Sequence, residues 1–593
     1  MLTLGLSSFT HDAAAALLED GVVKAAIEDS KLSRSNNEGL PKTAMRYCLN
    51  KSGIGWHDLD IIAVASRPFK RWMRQSLVPL RHSASPLASV YYEANQLGAL
   101  AGQLSDLRQL RHENGATKFK LLCLEHHLCH ASAAFFQSPF DRALIFTLDE
   151  GADGKSGMVA VGEGSELRVL QSISFPHSVA WVYSQITELL GFVPRKEEHK
   201  TQWLSMGGPA TFKGLFLEML RDSRSPIPRL NRKFVDADAT GKLKLAQGFY
   251  RRLGLSSSNA ELSDELRPAL AASLQHACFE IVRDLVEHFR RRHGVQNVCF
   301  GGGLFQNVVL VAALEKELGV DQVFVPPAPG NAGCAVGAGL YVWHQLRKNP
   351  HREEVSSVYW GPSYNRHEIE DVLTNSKARY SLQNTEERRL DAAIQLLQAG
   401  KIVGWFQGAV EFGPRALGNR SLLASPWAPY VKENLNDYIK HREWFRPFAI
   451  AIPEEDCTRF FEGSRLCRFM GSLGTVRPGS NVLPEGFALP GNQVRLHIVQ
   501  EKANPLLWKL LKRFGTVAPA PILVNTSFNL AGEPLVARPQ DAFRSYFASG
   551  IDALVIDGFC LSKYPLPGGR KPNAANATQA VYNQVDTSVT SSG

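Results

Sequence analysis

The sequence predicts an α/β protein built of two units, and three observations predict it. The 593 residues exceed what one hydrophobic core usually holds. Apolar, strand-like runs alternate with helix-like segments in both halves. Gly-rich or polar turns follow several of these runs, and in such folds sites lie at the strand ends. Apolar residues make up 44% and charged residues 21%, an ordinary globular balance that sets aside disordered and fibrous classes for most of the chain.

Taken in order, residues 2–9 read as a buried strand. Residues 13–18 and 22–27 read as a hairpin, because Asp20-Gly21 between them favours a tight turn. Residues 121–124 read as a strand entering a helix that starts near Glu125. Residues 143–148 form a strand that ends at Asp149-Glu150-Gly151, and 298–300 one that ends at Gly301-Gly302-Gly303. A helix over 308–318, a strand at 323–325, a Pro-rich loop with Asn331 and a helix over 332–346 follow. The charged stretch 213–292 reads as a helical insertion without a chemical motif. Residues 349–366 mix Pro, His, Ser and charge, so a boundary falls there: one unit at 1–355 and a second at 356–567. The second holds a helix over 388–399 and strands at 402–406, 448–452, 494–499, 521–524 and 553–556. Residues 568–593 are polar and Ser-rich, which predicts a disordered tail. No internal repeat is visible in the residues.

The formal net charge of +9 is mild for this length and suits pockets for phosphorylated substrates as well as a nucleic-acid surface. The nine cysteines form no C-x-x-C pair, which reads as reduced, mostly buried thiols and a cytoplasmic location. No basic segment precedes the first apolar run, and no run of about 20 apolar residues occurs, so neither a signal peptide nor a membrane span is expected.

Three groups of residues could carry chemistry. His126 and His130 lie four apart in EHHLCHA, which puts both imidazoles on one helix face. They read either as metal ligands or as one capping and one packed histidine. Asp149, at a strand end, adds a carboxylate, and two histidines with a carboxylate suit a divalent transition metal. Alternatively Asp149 caps a turn. The second group is the pair of loops Gly301-Gly302-Gly303 and Gly330-Asn331-Ala332-Gly333, where glycines let backbone amides approach a phosphate. The third is EFGPRALGNRS, KHREWFRPF, Arg495 and NTSFN. Arginine forks bind phosphate oxygens, and these arginines sit among Gly, Pro and aromatic residues rather than along a polar helix face.

Together these residues resemble the O-carbamoyltransferase family of the nodulation, cephamycin and tobramycin type. The matching segments are THDAAAALLEDG, EHHLCHASAAFF, GGGLFQN, GNAGCAVGAGL, GWFQGAVEFGPRALGNRS, KHREWFRPFAIAI and NTSFNLAGEPLV, spread from near residue 10 to near residue 540. The resemblance implies an N-terminal actin-like ATPase domain, of the type found in universal tRNA-modifying proteins, and a C-terminal YrdC-like α/β domain. It implies that carbamoyl phosphate and ATP yield carbamoyl adenylate in the second domain, and that a hydroxyl of a small-molecule acceptor then takes the carbamoyl group beside a metal, Fe(II) in the family. Carried over by motif, His126, His130, Asp149 and Asn331 would hold the metal. Asn331 stands where the family has Asp, which removes one negative charge from the site. Arg415, Lys440, Arg446, Arg495 and Ser527 match donor-binding positions, with Lys440 and Arg446 also in catalysis, and Gly302, Gly303 and Asn307 match the nucleotide loop. His11 matches a candidate base. The family's basic R-x-K cluster has no clear counterpart between Ser30 and Asn36, and Glu150 stands where Gly is usual.

Two other readings share these residues. Transfer to tRNA would fit a sequence pI near 9.0, but no aromatic-interleaved basic stripe supports a nucleic-acid partner. A nucleotide-binding regulatory protein with reduced catalysis would fit Asn331 and the altered 30–36 segment. The acceptor's identity and the oligomeric state, a homodimer among the options, lie beyond these motifs. The loops 67–109 and 222–263 are where acceptor choice would reside.

Overall fold

The computed structural model describes residues 1–8, 12–35, 39–67, 98, 101–106, 108–109, 119–222, 224–238, 242–257 and 260–564. The expected tail, most of the 67–109 loop and His11 therefore lie outside the described residues.

The N-terminal unit holds two five-stranded sheets with the same connectivity. In the first, β1 (Leu2–Ser7), β2 (Ala14–Glu19) and β3 (Val22–Glu28) form an antiparallel meander, and β4 (Ile61–Val64) and β5 (Lys120–Cys123) extend it in parallel from β1, giving the order β3-β2-β1-β4-β5. In the second, β6 (Arg142–Ala152), β7 (Lys155–Glu163) and β8 (Glu166–Ser174) form the meander, a short hairpin of β9 (Val235–Ala237) and β10 (Leu243–Leu245) intervenes elsewhere, and β11 (Val298–Gly301) and β12 (Val323–Phe324) extend it in parallel from β6. No sequence repeat announces this duplication. It is visible only as a repeated strand order, because each sheet needs the alternation of apolar residues and not particular ones.

The helices His126–Phe136 and Gly333–Leu340 pack closely on one another. Small residues set their spacing: a Cβ on Gly337 would lie 2.0 Å from the Cys129 carbonyl oxygen, so only glycine fits there. The helical insertion is helical in part, with helices Lys213–Leu220, Gln247–Arg252 and Leu266–His293 separated by the small hairpin. The helix expected over 332–346 is α-helical through Leu340 and then widens to π-type turns over Tyr341–Leu346.

No helix or strand spans 347–365, where the boundary was expected. The second unit centres on a mixed eight-stranded sheet. Its strands are β13 (Ser381–Leu382), β14 (Val403–Phe406), β15 (Arg420–Ala424), β16 (Ala449–Pro453), β20 (Leu496–Val499), β21 (Leu523–Ser527), β22 (Ala553–Ile556) and β23 (Phe559–Ser562), in the order β13-β23-β22-β14-β15-β21-β16-β20. A small sheet of β17 (Phe461–Glu462), β18 (Gly474–Val476) and β19 (Gln493–Val494) flanks it. Separate apolar clusters include Ile450, Val524 and Leu554 in one and Ala451, Leu523 and Val555 in the other, the alternation of a sheet buried on both faces. The α/β class thus holds in both halves. Among the described residues no helix is long and apolar enough to cross a membrane.

The halves are joined by buried polar contacts as well as apolar ones. Lys31 pairs with Glu28 at 2.8 Å and donates to the carbonyls of Glu411 (2.7 Å) and Gly413 (2.9 Å), while the Gly413 amide donates to Glu28 at 2.8 Å. Arg34 donates to the carbonyls of Pro534 and Leu535 and pairs with Glu533 at 3.2 Å. Lys31 and Arg34, from the stretch where the sequence shows no clear counterpart to the family's basic cluster, therefore anchor the first unit to the second.

Candidate active site

Strand β6 runs on to Ala152, so Asp149 lies within a strand and not in the turn after it. Its side chain faces the helix that carries His126 and His130. The Nε2 atoms of the two histidines are 3.0 Å apart, and Asp149 Oδ2 lies 3.1 Å from His130 and 3.6 Å from His126; all three side chains are buried. The His126 Nδ1 faces the Ala65 carbonyl at 3.2 Å, and the Pro329 carbonyl is hydrogen-bonded to the His130 ring. Nδ1–H bonds to those carbonyls leave both Nε2 lone pairs aimed at a carboxylate. Three acceptors then converge, and only a proton or a cation between them resolves the repulsion. Burial lowers the pKa of His126, but the hydrogen bond and charge of Asp149 outweigh it and hold the ring protonated more readily than usual. Burial and the neighbouring His126 lower His130. Burial opposes ionisation of Asp149, yet its two histidine partners keep the carboxyl well below the usual range.

Cys334, not singled out in the sequence, brings its sulfur within 4.8 Å of the ring nitrogens of His126 and His130. Burial pushes its thiol well up. Asn331 is buried in the turn just before helix Gly333–Leu340, where its carbonyl accepts from the Cys334 amide at 2.9 Å. The adjoining loop is tight. Gly302 has φ +97°, and a Cβ on it would lie 2.2 Å from the Leu148 carbonyl oxygen; one on Gly303 would lie 3.1 Å from Asp149 Oδ1. Asn307 caps helix Val308–Leu318 by accepting from the Leu310 amide at 3.0 Å. Its remaining groups bond Gln275 and the Tyr183 hydroxyl, so the structure places it as a cap whose side chain is fully engaged, at the wall of the cleft.

That cleft has a volume of about 720 Å³ and lies between the two units; Asp149, Gly303 and Asn307 line one part and Arg415, Lys440, Arg442 and Arg446 another. Lys440 ends a stretch of π-type turns over Asn434–Lys440 and donates to Asn529 Oδ1 (2.8 Å) and carbonyl (2.9 Å), to the Ser527 hydroxyl (3.3 Å) and to the Ser527 carbonyl. Burial, then Arg442 and Arg446, pull its pKa well below the ordinary lysine value, while the surrounding oxygens hold its ammonium protons. Burial and Arg446 lower Arg415 to about 10, and burial and Arg446 lower Arg442 to about 9. Arg415 donates to the Gln306 carbonyl at 3.0 Å, joining the second unit to the Gly-rich loop of the first.

Arg495, expected within one strand, sits between β19 and β20 and does not line the cleft itself. Burial and the charges of Arg415, Arg442 and Arg446 depress its pKa, and its guanidinium lies 5.8 Å from the centre of the Trp203 ring. Arg420 serves a different end. Fully buried, it donates to the carbonyls of Gln407, Asn419 and Gly408, while Glu411 accepts from the amides of Leu417, Asn419 and Arg420 and fixes the loop that presents Arg415.

Sequence reasoning did not single out the 193–203 segment. It places Arg195, His199 and Lys200 at the cleft wall, with Arg195 bonding Glu150 twice at 2.7 Å and Lys200 pairing with Glu443 of the other unit at 2.6 Å. Its only signal is the charge run Arg195-Lys196-Glu197-Glu198-His199-Lys200, which reads equally as a solvated surface.

Comparison with known proteins agrees over most of the chain. The family described as Carbamoyltransferase N-terminus matches residues 2–340, and Carbamoyltransferase C-terminus matches residues 394–563. The Nodulation protein NolNO of Sinorhizobium fredii is 32% identical over 94% of this chain and 80% of its own. An uncharacterized protein of Synechocystis is 31% identical over 95% of this chain and 97% of its own. The 3'-hydroxymethylcephem-O-carbamoyltransferase of Amycolatopsis lactamdurans is 31% identical over 41% of this chain and 45% of its own.

Proposed function

The chain belongs to the carbamoyltransferase family, and from that premise we propose that it is an ATP-dependent O-carbamoyltransferase acting on a hydroxyl of a small molecule. The observation that carries this reading is the gathering of Arg415, Lys440, Arg442 and Arg446 at one cleft, where burial first and neighbouring cations second lower the pKa of Arg415, Lys440 and Arg442. Such a cluster is costly unless anions fill it. Carbamoyl phosphate and ATP are anions of the required charge.

Water would first cleave carbamoyl phosphate there to carbamate and phosphate, and a carbamate oxygen would then attack the α-phosphorus of ATP, giving carbamoyl adenylate and releasing pyrophosphate. Fixed cations that meet developing negative charge lower the barrier for such departures without reorganising at the moment of reaction. Lys440 would hold one departing oxygen while Ser527 and Asn529 fix its position; Arg446 and Arg415 would neutralise the rest. The acceptor hydroxyl would then attack the carbamoyl carbon of the adenylate, lose its proton and release AMP. His11, the base suggested by motif, remains part of this proposal.

The donor set His126, His130 and Asp149 fits a divalent transition metal, since three lone-pair acceptors converge without a donor among them. Asn331 stands nearby as a neutral fourth candidate. Such an ion, Fe(II) in this reading, would supply Lewis-acid polarisation of the group being transferred. The chain's own residues position it: Ala65 and Pro329 carbonyls orient the two rings, and the Asp149 carbonyl accepts from Ser178 at 2.8 Å. The duplicated sheets of the first unit accord with an actin-like domain, and the second unit is proposed to be YrdC-like.

The test incubates the purified protein with ATP, carbamoyl phosphate and a panel of hydroxyl compounds, and follows AMP and pyrophosphate. Formation of both, dependent on carbamoyl phosphate, is the expected result. ATP left intact across the panel would overturn the reading.

A further inference from the structure

Helix Glu198–Leu204 belongs to the first unit, yet its side chains reach the cationic part of the cleft. Lys200 bonds Glu443 at 2.6 Å, Trp203 lies against Arg495, and His199, the residue before Lys200, lines the cleft. The Nε2 of His199 is buried and has no hydrogen-bond partner among the described residues. A buried ring nitrogen left without a partner is costly, and natural proteins rarely leave one outside a binding site.

We propose that His199 is a phosphate-binding residue of the donor pocket, neutral in the free protein and protonated once a pyrophosphate-bearing donor is seated. The inference rests on the donor site proposed above.

The surroundings support both states. Burial, then Arg446, Arg415, Lys200 and Arg495, lower the His199 pKa to about 3, so the empty pocket keeps the ring neutral. The acids that share this wall of the cleft, Glu150, Glu197, Glu198 and Glu443, have other partners, Glu150 being held by Arg195. Glu198 accepts from the Ser184 hydroxyl, while Glu197 and Glu443 both hold Lys200. On the flanking helix Leu266–His293, Arg267 is engaged by the Leu190 carbonyl and lies 5.5 Å from the centre of the Phe192 ring. A bound polyanion would cancel the field of the arginines and offer oxygen acceptors. Both changes favour the imidazolium. The bound-state pKa then lies above the free one, so the contribution of His199 to affinity is full at low pH and is lost as pH rises through the bound-state value.

Titration calorimetry with inorganic pyrophosphate, in buffers of different ionisation enthalpy near pH 7, reads this directly. Wild type should take up about half a proton more, or greater, than His199→Gln. Pyrophosphate's own titration is common to both proteins and cancels in the difference. At pH 6.5 the variant should bind about tenfold more weakly, with the gap closing towards pH 8.5. Equal proton uptake by two proteins that both bind pyrophosphate would overturn the inference while leaving the donor site standing. Absence of binding by wild type would overturn the donor site and this inference with it. Should His199→Gln fail to fold by circular dichroism, the histidine-labelled wild type decides: pyrophosphate should shift one ring to the imidazolium signature, and no such shift would refute the assignment.

Discussion

The two ends of the cleft carry opposite deficits. Around His126, His130 and Asp149, acceptors converge and lack a cation. Around Arg415, Lys440, Arg442 and Arg446, cations converge and outnumber the acid among them, Glu443, which lies 3.8 Å from Arg446. The first cluster is largely local, two residues one helical turn apart and one facing strand. The second is collected from the loop at Arg415 and the 440–446 segment, with Ser527 and Asn529, far along the chain, holding Lys440. A site for a metal can be built on one rigid face, whereas a site for a polyphosphate must surround its ligand.

The comparison breaks if the two ends do not separate on mutation. Lys440→Met should lower carbamoyl-phosphate-dependent AMP formation by about 10²–10³-fold, the size typical of a lost electrostatic contact. Elemental analysis of the same variant should find its metal content unchanged. Loss of both would mean that one end supports the other structurally. Lys31→Met tests what holds the ends in one cleft. It strands Glu28 in the interface between the units, and denaturant unfolding should show a cost of about 3 kcal/mol.

Asp149→Asn sharpens the comparison from the other side. It should reduce divalent-metal affinity about 10–100-fold, measured by competition with a chelating dye, while ATP–pyrophosphate exchange persists. Gly302→Ala should cost about 3–5 kcal/mol by thermal unfolding, because the strain of the positive φ adds to a Cβ that would lie 2.2 Å from the Leu148 carbonyl oxygen. Its consequence for activity should fall on transfer to the acceptor, because the shift would pass to Asp149 through the neighbouring Gly303.

The fold class and most elements were legible in the sequence because apolar periodicity is local. The hairpin at Asp20-Gly21 and the helix over 308–318 follow from residues within a few positions of one another. The meander of β7 and β8 was not read, since its runs carry Ser, Gln and Arg among the apolar residues. The duplication of the two sheets was invisible, because topology leaves no residue signature. The site divided in the same way. His126 and His130 announce themselves by spacing, and Arg415 and Lys440 by their Gly- and aromatic-rich settings. Cys334, His199 and Lys31 were not assigned, since each acquires its role from a partner far along the chain. Asn307, matched to the nucleotide loop, also caps a helix at the cleft wall, a role its position before Val308 encodes.

The contact of Lys31 and Glu28 with the Glu411 and Gly413 backbone has a bearing on dissection of the molecule. Severing the chain at the connecting stretch would give a front fragment with a bare ammonium and carboxylate on what had been an inner wall. The rear fragment would expose the Glu411 and Gly413 carbonyls and the Gly413 amide that receive them. Fragments mixed afterwards should therefore seek each other, and complementation in trans would read out that attraction without any chemistry taking place.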